Sequence, residues 1–330
     1  MLVCPECLAE FTPLPAEHRS DGDIWRGRLE CRGCGRNYPI ESGIPRFVER
    51  HSADASFGYQ WNVFRREQLD SLNGTTSSAR RLHTESGWTA ENLDGTWVLD
   101  VGCGAGRFLE VVARYRCEVV GVDASRAIDA AAITATGKRN VHLVQADVYR
   151  LPFRSGAFDA CYCIGVAQHT PDPLRALASL PRVMKPGGRI AITVYERKPW
   201  TRLNGKYLLR PLTRRLSKRA LLVAIRLSMP LLFPLTEVLF RLPVVGRAVR
   251  FALPVANYVE LEELSVRQRY RWAILDTFDR LAPEHDHPLA EPEVMAALSR
   301  AGITNLRRLP NPGLNLVGER RSERACANGS

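Results

Sequence analysis

Residues 98–106 read Val-Leu-Asp-Val-Gly-Cys-Gly-Ala-Gly. Apolar residues lead into and surround an acid, Asp100, and three glycines follow at alternate positions, Gly102, Gly104 and Gly106. An amphipathic stretch, residues 107–113, begins directly afterwards. The pattern predicts a buried strand, a sharp turn and a helix. Glycine accepts positive φ and lets a ligand lie against bare backbone. In an open α/β sheet, the strand tip before such a turn is where ligands bind.

The G-x-G-x-G spacing departs from the G-x-G-x-x-G of dinucleotide-binding turns, and an acid precedes it. In this form it resembles motif I of class I S-adenosylmethionine-dependent methyltransferases. Residues 117–123 predict a second strand ending in Asp123, about twenty residues past the glycines, where a carboxylate can accept from both ribose hydroxyls. Residues 141–148 predict a third strand with Asp147 at its end, and residues 158–164 a fourth. Residues 180–195 match the family's helix, turn and fifth strand. A helix from Glu291 and two last strands, 303–309 and 313–319, complete the pattern. The alternation has the lengths that βαβ units need.

The resemblance covers residues 97–195 and resumes near Glu291. It implies an α/β fold of the Rossmann-like class I methyltransferase type, with a seven-stranded, mostly parallel sheet and S-adenosylmethionine as cofactor. Asp100, Gly102, Gly104 and Gly106 would shape the pocket. Asp123 would hold the ribose, and Asp147 with Val148 the adenine. Ala124 and Gly165 complete the expected cofactor-binding set.

A chain of 330 residues can bury a sizeable core and hold more than one unit. Its first residues, Met-Leu-Val-Cys-Pro-Glu-Cys, contain no apolar run of the kind a signal peptide requires. Of nine cysteines, Cys103, Cys117, Cys161 and Cys163 fall in predicted strands or the glycine turn, where free cysteine serves as a small apolar residue. This usage fits a reducing compartment, so the expected location is the cytoplasm, extending to peripheral contact with the inner membrane face.

Cys4-Pro-Glu-Cys7 and Cys31-Arg-Gly-Cys34 give C-x2-C-x23-C-x2-C, with a linker slightly longer than the usual zinc-ribbon range. Each pair can present two thiolates from a tight knuckle, and two knuckles complete a tetrahedron. Residues 36–45 resemble the small zinc-binding family of methyltransferase activator subunits. A module over residues 1–49 is too small to build much core, so a structural zinc on Cys4, Cys7, Cys31 and Cys34 is the leading reading. A redox dithiol pair and a metal-free knuckle are the alternatives. Four thiolates leave no open position for catalysis.

Residues 50–91 predict a connector. Phe57-Gly-Tyr-Gln-Trp-Asn62 is exposed in pattern, and residues 64–70 predict a helix. Many members of the resembling family lay an N-terminal helix over the cofactor, which implies Tyr59, Gln60 and Trp61 near the site mouth. The alternative is that these aromatics dock the linker on the core, whose first part spans 92–196.

The net charge of +11 is uneven. Residues 197–250 hold thirteen basic residues and one acid, Glu237, whereas the rest of the chain holds 33 basic and 34 acidic residues. The basicity belongs to one insertion, residues 197–258, after the fifth strand. Residues 221–240 are nearly apolar enough to cross a bilayer, but Arg226, Glu237 and two prolines oppose that. The pattern predicts amphipathic helices over 203–216, 218–228 and 235–242. Such helices can lie on an anionic membrane, cover a site that takes an anionic or lipid-like acceptor, or pack as a cap with solvated arginines. Nucleic acid is disfavoured, because the basic run alternates with Leu, Val and Phe rather than with stacking aromatics and glycines.

Methyl transfer from a sulfonium is a displacement. The protein must align the acceptor and exclude water, and a hydroxyl or amine acceptor calls for a base. His169, in the loop 165–173 after the fourth strand, is the base candidate. It is similar to the histidine-bearing loop of ubiquinone-biosynthesis-type methyltransferases, and a loop-stabilising role is the alternative. Residues 270–288 gather aromatics, acids and two histidines. There His285, Asp286 and His287 could form a second acid/base set or, as His-x-His, bind metal. His287 could equally dock the helix entered at Glu291-Pro292.

Residues 259–320 are expected to hold the substrate segment and the end of the core, and 321–330 a flexible tail. The expected function is S-adenosylmethionine-dependent methylation of a small-molecule or lipid-linked acceptor. Its rivals are an RNA or protein methyltransferase using the ribbon for recognition, and a non-catalytic scaffold of the same fold.

Overall fold

The computed structural model describes residues 1–14, 16–18, 24–48 and 55–322. All but the first two residues of the predicted tail, 321–330, lie outside them. The amino-terminal strands β1 (Phe11–Pro13), β2 (Glu17–His18), β3 (Ile24–Cys31), β4 (Asn37–Glu41) and β5 (Ile44–Pro45) form one antiparallel sheet. Its apolar content is small. Phe11, Tyr38 and Phe47 cluster with ring centroids 4.9 to 5.7 Å apart.

The second sheet contains β6 (Trp97–Val101), β7 (Glu118–Asp123), β8 (Val141–Gln145), β9 (Phe158–Ile164), β10 (Met184–Val194), β11 (Ile303–Arg308) and β12 (Leu314–Arg320). Its seven strands run in the order β11-β12-β10-β9-β6-β7-β8. β6 to β10 are mutually parallel, and β12 enters antiparallel between β10 and β11. This is the mostly parallel class I methyltransferase sheet. Helices cover both faces, so central strands read as continuous apolar runs: Val119, Val120 and Val122 in β7, and Ala160 to Cys163 in β9, are all buried. The chain leaves β6 for β7 on one side and later returns to β9 on the other. That reversal opens a crevice at the carboxyl ends of β6 and β9.

Helices α1 (Ala55–Val63), α2 (Asp70–Asn73), α3 (Ser77–Ser86) and α4 (Ala90–Leu93) precede β6. α5 (Arg107–Val112), α6 (Ala127–Thr134) and α7 (Pro173–Ser179) connect the parallel strands. Between β10 and β11 come α8 (Gly205–Thr213), α9 (Lys218–Leu239), α10 (Val245–Ala252), α11 (Val266–Leu281) and α12 (Glu291–Arg300).

The amino-terminal sheet covers the β8 edge. The Phe47 amide donates to the Gln145 carbonyl at 2.7 Å, and that of Val3 to Pro152 at 2.9 Å. Arg46, buried, donates to Gln145 Oε1 and to Asp129 Oδ1, each at 2.7 Å. An exposed edge strand is a template for unwanted pairing, and here the module occupies it.

Two sequence expectations need correction. The helix predicted over 64–70 is absent: α1 ends at Val63, a turn follows, and α2 starts at Asp70. Asp70 instead accepts the amides of Ser78 and Ala79, each at 2.9 Å, and so caps α3. The helices predicted over 218–228 and 235–242 are one continuous helix, α9, with Pro230 and Pro234 inside it. Leu221, Leu222, Ile225, Met229 and Phe233 pack into a core with Ile274 and Phe278 of α11. Burial of that stripe outweighs the backbone hydrogen bonds the prolines remove. Within 203–216 the helix is confined to α8, after a 3-10 turn at Thr201–Leu203.

Candidate active site

The three glycines of the turn have φ of 78°, 55° and 86°, a region that excludes most side chains. All three also sit where a Cβ would collide or crowd, Gly106 against Thr134. At Gly102 it would meet the Val166 methyls at 2.4 Å, and at Gly104 the Trp61 indole at 3.2 Å. The amides of Gly102 and Cys103 donate to the Val122 carbonyl at 2.7 and 3.0 Å, which anchors the turn to β7.

Asp123, at the tip of β7, accepts the Gly104 amide at 3.0 Å on one oxygen and the Ser125 amide and hydroxyl at 2.8 and 2.7 Å on the other. Desolvation raises its pKa, and these donors oppose the rise. Asp147, after β8, accepts the Tyr149 amide at 3.0 Å and starts a short 3-10 turn.

These elements open into one cavity of about 1060 Å³. Of the nine residues expected to bind cofactor, Gly102, Gly104, Asp123, Ala124, Asp147, Val148 and Gly165 line it. Asp100 and Gly106 do not. Asp100 is 2% exposed behind the turn, where burial, with Asp123 nearby, pushes its carboxyl up to about 8. Gly106 begins α5, and a Cβ there would lie 3.2 Å from Thr134.

His169 lines the cavity at the end of the loop after β9. Its Nδ1 lies 3.0 Å from the His285 carbonyl. A carbonyl only accepts, so this contact keeps the proton on Nδ1 and leaves Nε2 as the basic nitrogen of the neutral ring. The ring also contacts Phe57 and Tyr195, with centroids 5.0 and 5.4 Å away. The contact thus ties the loop and fixes the orientation of the ring. His287 is not in the cavity; its amide donates to the Gln168 carbonyl at 2.8 Å. The structure brings His285 to the cavity wall instead.

Of the aromatics in α1, Phe57 and Trp61 line the cavity, Tyr59 packs against Phe278 at 6.0 Å, and Gln60 donates to Asp279 at 2.9 Å. Sequence reasoning did not find other polar residues of the wall, among them Arg81 of α3, Arg107 of α5 and Asp276 of α11. A Cβ at Gly165 would lie 3.5 Å from an Arg81 guanidinium nitrogen. Desolvation, with Asp279 beside it, pushes Asp276 up to about 7, and desolvation lowers Arg107 to about 9. No local signal marks these residues, because they meet only when three separate helices pack together.

The four expected metal ligands also converge. The Sγ atoms of Cys4, Cys7, Cys31 and Cys34 all lie within 4.8 Å of one another, with Cys4–Cys34 at 3.7 Å and Cys7–Cys31 at 3.3 Å. A tetrahedral thiolate site with metal–sulfur bonds of about 2.3 Å needs sulfurs about 3.8 Å apart. The Gly33 and Cys34 amides point at Cys31 Sγ, each at 3.4 Å, as they would toward a thiolate. The donor set fits zinc.

Fold and site together define a Rossmann-like methyltransferase domain with an appended cysteine-cluster module. Comparison with known families agrees: the family described as "Methyltransferase domain" matches residues 99–192, and that described as "Trm112p-like protein" matches residues 1–43. The chain therefore carries a methyltransferase domain preceded by a Trm112p-like one. The ubiquinone biosynthesis O-methyltransferase of Alkalilimnicola ehrlichii is 34% identical over 132 residues, covering 36% of this chain and 50% of that protein. The enzyme of the same name from Coxiella burnetii is 35% identical over 107 residues, covering 32% and 46%. The chain spans about half the length of the curated relatives it matches. A solved complex containing the Haloferax volcanii Trm112 methyltransferase activator aligns at TM-score 0.47 and 14% identity, over 82% of this chain and 100% of that one.

Proposed function

We propose that the protein is an S-adenosylmethionine-dependent methyltransferase acting by direct displacement on a small-molecule or lipid-linked acceptor. One observation carries the reading: a glycine turn and the acid-bearing tips of neighbouring strands open into a single cavity. Bound there, S-adenosylmethionine supplies an activated methyl group.

The chain's own residues then have distinct tasks. Asp123 accepts from the ribose hydroxyls while holding Gly104, and Ala124 lies beside it. Asp147 and Val148 flank the adenine. Gly102 and Gly165 leave backbone bare, and Arg81 offers a cation to the amino-acid end. Asp100 and Gly106 support the turn from behind. At about 1060 Å³ the cavity stands at the upper end of the ~300–1,000 Å³ typical of ligand pockets, which supports room for a second reactant. Trp272, Asp276 and Tyr258 line that further space. His169 Nε2 takes the acceptor's proton, and the Phe57 and Tyr195 rings beside it keep water out. The O-methyltransferase activity of the relatives supports a hydroxyl acceptor.

Zinc on the four cysteines is proposed as a structural metal. The proposed location is the cytoplasm.

Calorimetry of the intact chain with S-adenosylmethionine and its demethylated product tests the donor assignment. Asp123→Ala is expected to weaken binding by roughly 1–3 kcal/mol, because hydroxyls lose their acceptor. No heat from folded protein would overturn the reading. Labelled donor incubated with cell extract tests the acceptor. Label confined to RNA or protein would replace a small-molecule acceptor, and intact donor binding with no label in any fraction would favour the scaffold.

A further inference from the structure

We propose that the outward faces of α8, α9 and α10 dock on an anionic lipid bilayer, with the helices lying along its surface. Among the described residues, 14 of the 20 exposed large apolar side chains fall between Trp200 and Val245. The pattern on α9 is specific. Val223, Leu227, Leu231 and Val238 recur at helical spacing and are 53%, 77%, 73% and 64% exposed. They lie on the side opposite Leu221, Ile225, Met229 and Phe233, which fill the core against α11. The helix is thus apolar on two sides, and among the described residues only one of them is covered. α8 adds Leu208 and Leu212, and the turn before α10 adds Val244, each more than 60% exposed. α10 packs on both other helices, so the three helices adjoin one another. Soluble proteins rarely leave so much contiguous apolar surface in water.

Charge identifies the occupant. Residues 197–250 hold thirteen basic side chains against one acid, and that acid, Glu237, is held by Arg269 at 2.7 Å and Arg241 at 2.6 Å. Arg219 and Arg226 are exposed beside the α9 stripe, and Arg214 and Arg215 follow α8. Leucines beside arginines match the boundary where anionic headgroups meet acyl chains. A nucleic acid would satisfy the cations and leave the leucines in water.

α9 is long and apolar enough to cross a membrane, with a mean hydropathy of 1.6. Crossing would pull its inner stripe out of the core, break the Glu237–Arg269 pair and carry Arg226 into hydrocarbon, where an arginine is costly. Lying flat keeps all three.

The test is co-sedimentation of the full-length protein with vesicles of phosphatidylcholine alone and of phosphatidylcholine with phosphatidylglycerol. Binding is expected to the anionic vesicles, to weaken with salt, and to be reversed by alkaline carbonate. Leu227→Asp with Leu231→Asp, and separately Arg219→Glu with Arg226→Glu, are each expected to weaken it about tenfold or more. All four positions are exposed, and unchanged circular dichroism and melting temperature verify that the variants fold. The proposal is overturned by no binding to anionic vesicles, by variants that bind as the parent does, or by retention after carbonate, which would mean a crossing helix. Light scattering that shows a second copy covering this face would overturn the bilayer as occupant. The assay contains no methyl donor, so its failure leaves the proposed activity standing, and failed donor binding leaves this surface in place.

Discussion

Lys206 Nζ lies 2.8 Å from the Asp286 carboxylate, and the two side chains are 15% and 2% exposed. The Tyr207 hydroxyl donates to the other Asp286 oxygen at 3.0 Å, and the Arg210 guanidinium stands 3.8 Å away. α8, an element of the insertion, thereby pins the segment whose His285 carbonyl orients His169. Residues about 80 positions apart in sequence set where the candidate base sits.

Asp286→Ala would leave Lys206 and Arg210 without their carboxylate in a largely buried site. Removing one partner of such a pair destabilises by about 3 kcal/mol. The urea midpoint should fall with little change in slope. If methyl transfer is measured, the turnover rate should drop more than donor affinity, because the loop that orients His169 loosens. An unchanged midpoint would show that the pair contributes nothing.

Asp100 makes stability depend on pH. Its folded value, about 8, lies above the ordinary 3.8. Between these values the folded chain holds a proton that the unfolded chain has released, so stability falls as pH rises through that window. Asp100→Asn removes this contribution. The variant should gain stability relative to the parent between pH 5 and pH 8, followed by thermal melts at both. A gap that stays constant would place the Asp100 carboxyl in water.

Gly102→Ala drives a methyl to within 2.4 Å of Val166 and places alanine at φ 78°. Overpacking and backbone strain each cost about 1–3 kcal/mol. Val166→Ala in the same chain removes the two methyls but keeps a Cβ 2.9 Å away, so it should recover part of the packing loss and leave the strain. Recovery of the whole loss would show that φ is not under strain there.

Chelation should release one metal per chain and unfold the amino-terminal sheet while the seven-stranded sheet stays folded. Four thiolates substitute for a core that so small a module lacks. Hydrogen exchange can separate the two, with amides before Phe47 losing protection and those of β6 and β9 keeping it. Absence of metal from carefully purified protein would remove the zinc site.

The parts of the site legible in the sequence are those set by local rules. Gly102, Gly104 and Gly106 stand out because positive φ is a property of single residues. Asp123 and Asp147 stand out because strand periodicity places them at tips. The four cysteines stand out because each knuckle is complete within four residues. The local pattern of 64–70 predicts a helix, whereas in the fold the Asp70 carboxylate caps α3. The local pattern predicts separate helices over 218–228 and 235–242, whereas the packing of Met229 and Phe233 accompanies one continuous α9.

By itself the sequence determined the strand tips, the bare turn, the two cysteine knuckles and the surplus of positive charge after β10, since each depends on residues close together in the chain. Only the tertiary structure decided that Arg81, Arg107 and Asp276 share a wall, that His285 rather than His287 reaches the cavity, and that the second apolar side of α9 faces outward. Those outcomes depend on which helices pack together, and packing is a long-range choice that no local pattern encodes.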